Sequence, residues 1–392
     1  MAVTVVEMSL EGNQGCRGKG SPMEKSVFLA RLERFRMTME EQELDAFLVS
    51  VPENRYYLSG YEADDLLLTE SSGFLFITPN KQLLLTDFRY EEAARLEATA
   101  YEAHIYKEGL ETLLPELFAS TAITRLGLEG HYCTLHRYQQ VERALLAVRP
   151  QARVVAVENA VEGMRIIKDT QEIEQIRASL RLTERILADV WQSLTPGRTE
   201  KEVAWQIECG IRERGAESVS FPPIAAAGPN GALPHAVPSD RRIGAGDSLI
   251  LDIGSRLNRY CSDLTRTWLD EAAEPKMREI YRIVREAQLA AQDSICAGKD
   301  SYEVDQVARS IIAKAGYGDH FGHGLGHGVG LAVHEKPGFG KLSRMELQEN
   351  MVVTVEPGIY LTGYGGVRLE NMVRVTTNGC ELLNELDLFY RG

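Results

Sequence analysis

Residues 249–269 read LILDIGSRLNRYCSDLTRTWL, an alternating run of β-formers about a centre at Leu257–Asn258. Alternation on both sides of a turn signal predicts a β-hairpin. Folded about that centre, the segment sets Asp252 directly opposite Asp263. Opposed residues share one face, with Cβ atoms about 5 Å apart. Two like charges there work against pairing unless a cation lies between them, so the pair predicts a metal ion. Asp252 sits among Ile250, Leu251 and Ile253, the most apolar part of the strand, which speaks against two solvated surface carboxylates.

A second segment repeats the logic. Residues 351–375, MVVTVEPGIYLTGYGGVRLENMVRV, predict another hairpin with its turn near TGYGG. Glu356 and Glu370 are symmetric about Gly363, although glycines allow several loop lengths and leave the register open. Between the two hairpins, HFGHGLGHGVGLAVHEKP (320–337) carries four of the chain's eight histidines. Four carboxylates with one or two imidazoles form a hard, oxygen-rich set suited to two divalent ions such as Mn²⁺, Co²⁺, Fe²⁺ or Zn²⁺. Two such ions can activate water and polarise a carbonyl.

The hairpins belong to an internal echo. PGRTEKEVAWQIECGIRERG from Pro196 and AGKDSYEVDQVARSIIAKAG from Ala297 match at an offset of 101 residues. Gly197 then meets Gly298, Glu202 meets Glu303, Val203 meets Val304, Ile211 meets Ile312 and Gly215 meets Gly316. Both predict capped helices, through Thr199 with Glu202 and Asp300 with Glu303. A duplicated helix–helix–sheet unit is the simplest account, with one carboxylate pair from each half and an approximate two-fold joining the hairpins. A further helix is predicted over about 170–194, opened by a capping box of Asp169 and Glu172.

Upstream, DAFLVSV (45–51), GFLFITP (73–79) and KQLLLTD (81–87) predict strands. TLHRYQQVERALLAV (134–148) predicts a helix with Leu135, Tyr138, Val141, Leu145 and Leu146 on one face. The expected organisation is α+β: a polar, glycine-rich tail at 1–22 without structure, a smaller α/β domain over 23–160, and a catalytic domain over 161–392. Met23 offers an alternative start. In the first domain His104, His131 and His136 lack Asp or Glu partners at ligand spacing and read as ordinary histidines.

Composition narrows the function classes. The 392 residues carry a net charge of −14, which argues against a phosphate-binding surface and hence against nucleic acid. Six scattered cysteines without a C-x-x-C pair fit a reducing compartment. No apolar run approaches the roughly 18 residues of a membrane span. No basic segment followed by an apolar stretch opens the chain, so a cytoplasmic protein away from membranes is expected.

The segments LPHAVPSDRRIGAGDSLILDIG, YCSDLTRT, HGLGHGVGLAVHE, TVEPGIY and GGVRLENMV resemble, in order, the motifs of the pita-bread family that contains methionine aminopeptidase, aminopeptidase P and prolidase. The likeness covers most of residues 165–392, and the first domain resembles the creatinase-type N-terminal domain. It implies a pseudo-two-fold pita-bread metallopeptidase domain holding two ions, Mn²⁺ first among the candidates. Asp252 would chelate one ion, Asp263 and Glu370 would bridge both, and His327 with Glu356 would complete the second. His327 is preferred to His323 because it precedes His334 by the family's seven residues, leaving His323 a supporting role. Glu356 would also act as general base and acid, and His235 and His334 would hold the scissile carbonyl. Arg368, two residues before Glu370, would either face the same side and tune that carboxylate or be a plain surface arginine. A homodimer is the implied assembly.

Within the family, the sizeable first domain, the chain length and the GPNGALPHA and YGGVRLENM segments resemble the Xaa-Pro branch, so small proline peptides are the expected substrates. A dipeptidase needs a cation for proline's carboxylate. Gly338 stands where some prolidases place an arginine, which favours the aminopeptidase P type, with Xaa-Pro dipeptidase as the alternative and Arg344, or an arginine of the other domain or subunit, as a substitute cation. Non-catalytic binding proteins share the fold but usually lose ligands, whereas all five ligand positions stand here.

Overall fold

The computed structural model describes residues 23–390 apart from positions 66 and 68. The expectation of a disordered tail at 1–22 lies outside these residues. The first half runs α1 (Lys25–Glu41), β1 (Ala46–Val49), α2 (Pro52–Ser59), β2 (Phe74–Ile77), β3 (Gln82–Asp87), α3 (Glu91–Glu97), β4 (Glu102–Tyr106), α4 (Leu110–Ala119), β5 (Arg125–Glu129), α5 (Leu135–Val148), β6 (Arg153–Val157) and α6 (Glu162–Arg165). The six strands form one mixed sheet in the order β4-β3-β2-β1-β5-β6. The three strands expected here are present. The face expected of α5 is only partly right: Val141, Ala144 and Leu145 are buried, whereas Leu135 and Leu146 are 72% and 40% exposed. The packed stripe is Tyr138, Val141, Leu145 and Val148. Leu146 lies about 100° off that stripe, and Leu135 precedes it in the first turn.

The second half continues with α7 (Thr170–Ser193), α8 (Glu200–Glu213), β7 (Ser218–Val219), β8 (Ile224–Ala227), β9 (Ser248–Ile253), β10 (Ser255–Leu257), β11 (Tyr260–Cys261) and β12 (Leu264–Leu269). Then come α9 (Pro275–Ser294), α10 (Ser301–Lys314), β13 (Gly326–Gly328), β14 (Glu335–Phe339), β15 (Val352–Val355), β16 (Gly358–Leu361), β17 (Gly365–Arg368), β18 (Asn371–Thr376) and β19 (Gly379–Leu382). Each half supplies a helix pair, α7 with α8 and α9 with α10, and a long hairpin. The offset of 101 is visible in the backbone. Gly197 and Gly298 take φ of +98° and +83°, and Gly215 and Gly316 take +91° and +90°, which favours glycine at all four. The caps differ: Asp169 with Glu172 and Thr199 with Glu202 form capping boxes, but Asp300 accepts from the Tyr302 amide without Glu303 closing a box.

The first hairpin corrects the expected register. Its turn is Asn258–Arg259, both at positive φ (+50° and +73°), a two-residue turn suited to strand twist. Asp252 therefore pairs with Thr265, not with Asp263. The centre is displaced by one residue, so partners shift by two, and Asp263 stays on the Asp252 face as a diagonal neighbour. The second hairpin keeps the symmetry about Gly363, with Gly358 opposite Arg368 and Val355 opposite Asn371. The hairpins join where the Glu370 amide donates to the Thr265 carbonyl (3.0 Å) and the Thr267 hydroxyl to the Arg368 carbonyl (2.8 Å).

An apolar cluster continues across the junction, from Phe28 and Leu32 on α1 to Ile173 and Ile176 on α7. Beside it Glu335 accepts from Arg165 (2.5 Å) and Lys168 (3.0 Å), and none of the three side chains is more than 6% exposed. Burial alone would raise the Glu335 pKa, but the two cations outweigh it and hold it down at about 2. A depressed carboxylate pKa contributes stability above the unfolded value near 4.5 and loses it as pH falls towards 2. At 1.36 kcal/mol per unit this is about 3 kcal/mol. Urea melts between pH 5 and pH 2.5 should show that loss in the wild type, and Glu335→Gln, already destabilised at pH 7, should show a smaller slope. Equal slopes would mean that other carboxylates set the acid limit. No helix among the described residues is long and apolar enough to cross a membrane.

Candidate metal centre

The five expected ligands reach one place from strands and strand ends. Asp252 is on β9, Asp263 directly precedes β12, His327 is central in β13, Glu356 follows β15, and Glu370 lies between β17 and β18. Gly326 and Gly328 flank His327 because a Cβ on either would come to 2.2 Å from a backbone oxygen, of Thr354 and of Lys336. These close approaches press β13 onto its neighbours and aim the imidazole inward. Donor atoms of Asp263, His327 and Glu370 lie within 4.8 Å of one another. The His327 Nε2 is 3.5 Å from an Asp263 oxygen and 3.4 Å from a Glu356 oxygen.

The carboxylates of this cluster are buried and crowded against one another. Burial, then Glu370 and Asp252, push the Asp263 carboxyl well above its ordinary range. Burial, then Glu370, does the same to Glu356. Burial and Asp252 push Glu370 up to about 8. His327 is held down at about 4 by burial and by His334, so its ring is neutral near pH 7. Its Nδ1 faces the Gly328 carbonyl at 3.1 Å; that oxygen only accepts, so the proton is on Nδ1 and the Nε2 lone pair faces the carboxylates. The buried Asp252 Oδ1 and Glu370 Oε1 have no hydrogen-bond partner among the described residues. Lone pairs converging on buried carboxylates with free oxygens are the donor set of a divalent metal centre, so the residues fit the ions expected of them.

The surrounding groups fall into place with two surprises. Arg368 is buried, and its first partner is Asp252 (2.6 Å) rather than Glu370. It reaches Glu370 indirectly, through the Thr265 hydroxyl, which lies 3.3 Å from Arg368 and donates to Glu370 at 2.9 Å. His323 has both ring nitrogens engaged, with the Gly324 carbonyl and the Tyr360 hydroxyl, each at 2.8 Å. Tyr360 also accepts from Arg368 (2.9 Å), so it ties His323 to the arginine. Neither Thr265 nor Tyr360 stands out in sequence: threonine and tyrosine are ordinary strand residues, and only alternation from Asp263 and from Glu356 places them on the site face.

A cavity of about 500 Å³ opens above the cluster. His235, His323 and His334 line it with Asp252, Asp263, His327, Glu356 and Arg368. The His334 ring stands edge-on to His327, with centroids 4.4 Å apart. An apolar wall of Phe221, Pro222, Pro223, Ile224 and Val237 bounds the cavity. Arg344 is elsewhere, its guanidinium stacked 4.3 Å from the Tyr302 ring.

Comparison with known proteins agrees with this geometry. The model of metallopeptidase family M24 matches residues 174–377, and that of the creatinase/prolidase N-terminal domain matches residues 31–167. An Xaa-Pro dipeptidase of Pyrococcus furiosus is 34% identical over 91% of this chain and 98% of its own. The structure of an Xaa-Pro dipeptidase from Bacillus anthracis superposes with a TM-score of 0.86, at 34% identity, over 92% of this chain and 98% of that one. An X-Pro aminopeptidase from Thermotoga maritima gives a TM-score of 0.80 at 35% identity, over 90% and 98%. These relatives support the dipeptidase alternative better than the aminopeptidase expected first. The chain, with its pita-bread catalytic half and its creatinase-type first half, belongs to metallopeptidase family M24.

Proposed function

We propose that this chain is a metal-dependent Xaa-Pro dipeptidase, with residues 23–160 as its N-terminal domain and 161–392 as its catalytic domain. What carries the reading is the carboxylate–histidine cluster on the floor of a proline- and aliphatic-walled cavity. The dipeptidases named among its relatives turn that chemistry towards dipeptides. Asp252, Asp263, His327, Glu356 and Glu370 would hold two divalent ions, Mn²⁺ foremost. Bound ions supply charge that polarises the carbonyl and acidifies water.

The chain's own groups do the rest. Glu356 takes the proton of the attacking water and returns it to the departing nitrogen. That nitrogen is proline's and carries no N–H in the peptide, so the site needs no acceptor for one and must deliver a proton. His334 and His235 donate to the carbonyl oxygen as charge develops on it. Arg368 fixes the Asp252 carboxylate, and the wall from Phe221 to Ile224 receives the pyrrolidine ring. His334→Ala is expected to lower kcat/KM about 10²-fold with metal content unchanged; loss of metal in that variant would make His334 a ligand.

A second reading, aminopeptidase P, has one specific observation behind it. Among the described residues, Arg368 is the only Lys or Arg lining the cavity, and it already serves Asp252. A mass-spectrometric digest of Ala-Pro and Ala-Pro-Ala with Mn²⁺ separates the two. Cleavage of the dipeptide alone is expected. Cleavage of the tripeptide alone would install the second reading, and cleavage of neither would end the proline reading altogether.

A further inference from the structure

Glu200 opens α8 and is fully buried, yet its partners are four uncharged donors. Its Oε1 accepts from the Ala227 amide (2.7 Å), and its Oε2 from the Asn230 side chain (2.8 Å), the Ser239 amide (2.9 Å) and the Ser239 hydroxyl (2.6 Å). A buried carboxylate is tolerated only when its lone pairs are filled, and the helix N-terminus adds favourable charge. All four donors come from one stretch of chain. The carboxylate therefore staples both ends of segment 228–238, which carries His235 and Val237 along the cavity. The contact is reciprocal, since the Glu200 and Lys201 amides donate back to the Arg241 and Ser239 carbonyls at 3.1 and 3.2 Å.

Between the staples Gly228, Gly231 and Ala236 are buried, but the stretch around His235 is held less closely. Leu233 and Val237 are 56% and 78% exposed, and the Pro234 carbonyl accepts from Arg368 at 3.1 Å. The other half of the duplication uses a similar device. Asp305 on α10 is fully buried and accepts from the Leu325 amide (3.1 Å) and from Arg309. Arg309 in turn donates to the Phe321 and His323 carbonyls, each at 2.8 Å. One buried acid in the second helix of each half thus fixes a histidine-bearing segment of the cavity.

We propose that Glu200 is the positioning residue for His235, holding segment 228–238 so that the imidazole meets the substrate carbonyl. This rests on the role given to His235 above. The test is a double-mutant cycle of Glu200→Gln with His235→Ala, read by kcat/KM on Ala-Pro, with hydrogen exchange at the Ala227 and Ser239 amides. Glu200→Gln should lose between about 10- and 100-fold, the cost of a small misplacement, and should speed exchange at both amides. In the His235→Ala background it should cost less than about threefold, because the group it positions is gone. Ser239→Ala removes one donor without stranding a buried charge; it should lose about 3- to 10-fold and show the same non-additivity. Multiplied losses, or unchanged amide exchange, would overturn the proposal while leaving the function standing. A His235→Ala enzyme within about threefold of wild type would overturn the role of His235 itself, and this proposal with it.

Discussion

Glu356→Gln is expected to lower kcat about 10³-fold while leaving the chain folded. The substitution keeps the volume and, on the proposed roles, would remove two things together: a ligand oxygen, 3.4 Å from His327, and the base that must ionise to accept a proton. The fold should tolerate it well. Burial and Glu370 already push Glu356 towards its neutral form, so a neutral amide relieves repulsion in the metal-free protein. Steady-state assay on Ala-Pro beside a thermal melt checks both halves. Turnover near wild type would remove Glu356 from the chemistry, and a collapsed melt would mean that it holds the fold instead.

Much of this site is legible in the sequence because hairpin arithmetic survives small errors. Alternation alone centres the first turn on Leu257–Asn258, whereas the chain turns on Asn258–Arg259. An arginine at positive φ is not the glycine that marks such turns. The slip keeps parity, so Asp252 and Asp263 remain on one face although they do not pair. The duplication is legible because glycines at positive φ punctuate both helices at one spacing. What stays hidden depends on which groups meet across the two halves. Arg368 has no local signal for its partner, because Asp252 is 116 positions away. Thr265 and Tyr360 escape notice because each joins groups outside its own strand, Arg368 to Glu370 and Arg368 to His323. Arg344 is the cation that sequence offers for a dipeptide's carboxylate, and the fold sends it to the Tyr302 ring instead.

Asp263→Ala should have the second large effect, on metal rather than on the base. Its carboxylate lies among the donors of His327 and Glu370, where one group can serve two ions. The variant should therefore retain neither ion through gel filtration, and activity should fall to background. Binding to the folded state alone stabilises wild type by about 2.7 kcal/mol at a hundredfold excess over Kd, and the variant should gain close to none of it. Without metal the order reverses. Burial, with Glu370, Asp252 and Glu356, pushes Asp263 well above its ordinary range, so the metal-free variant should melt no lower than metal-free wild type. Thermal melts of both proteins with and without Mn²⁺ check the stability statements, and metal analysis after gel filtration checks retention. A variant that keeps a normal metal complement would contradict the bridging role.

If the five side chains hold a pair of ions between them as proposed, the ions should be visible by anomalous diffraction at the manganese edge from crystals grown with Mn²⁺. Two peaks about 3.5–4 Å apart are expected, with Asp263 and Glu370 between them, Asp252 on one and His327 with Glu356 on the other. A single peak, or peaks away from Asp263 and Glu370, would contradict the two-ion centre.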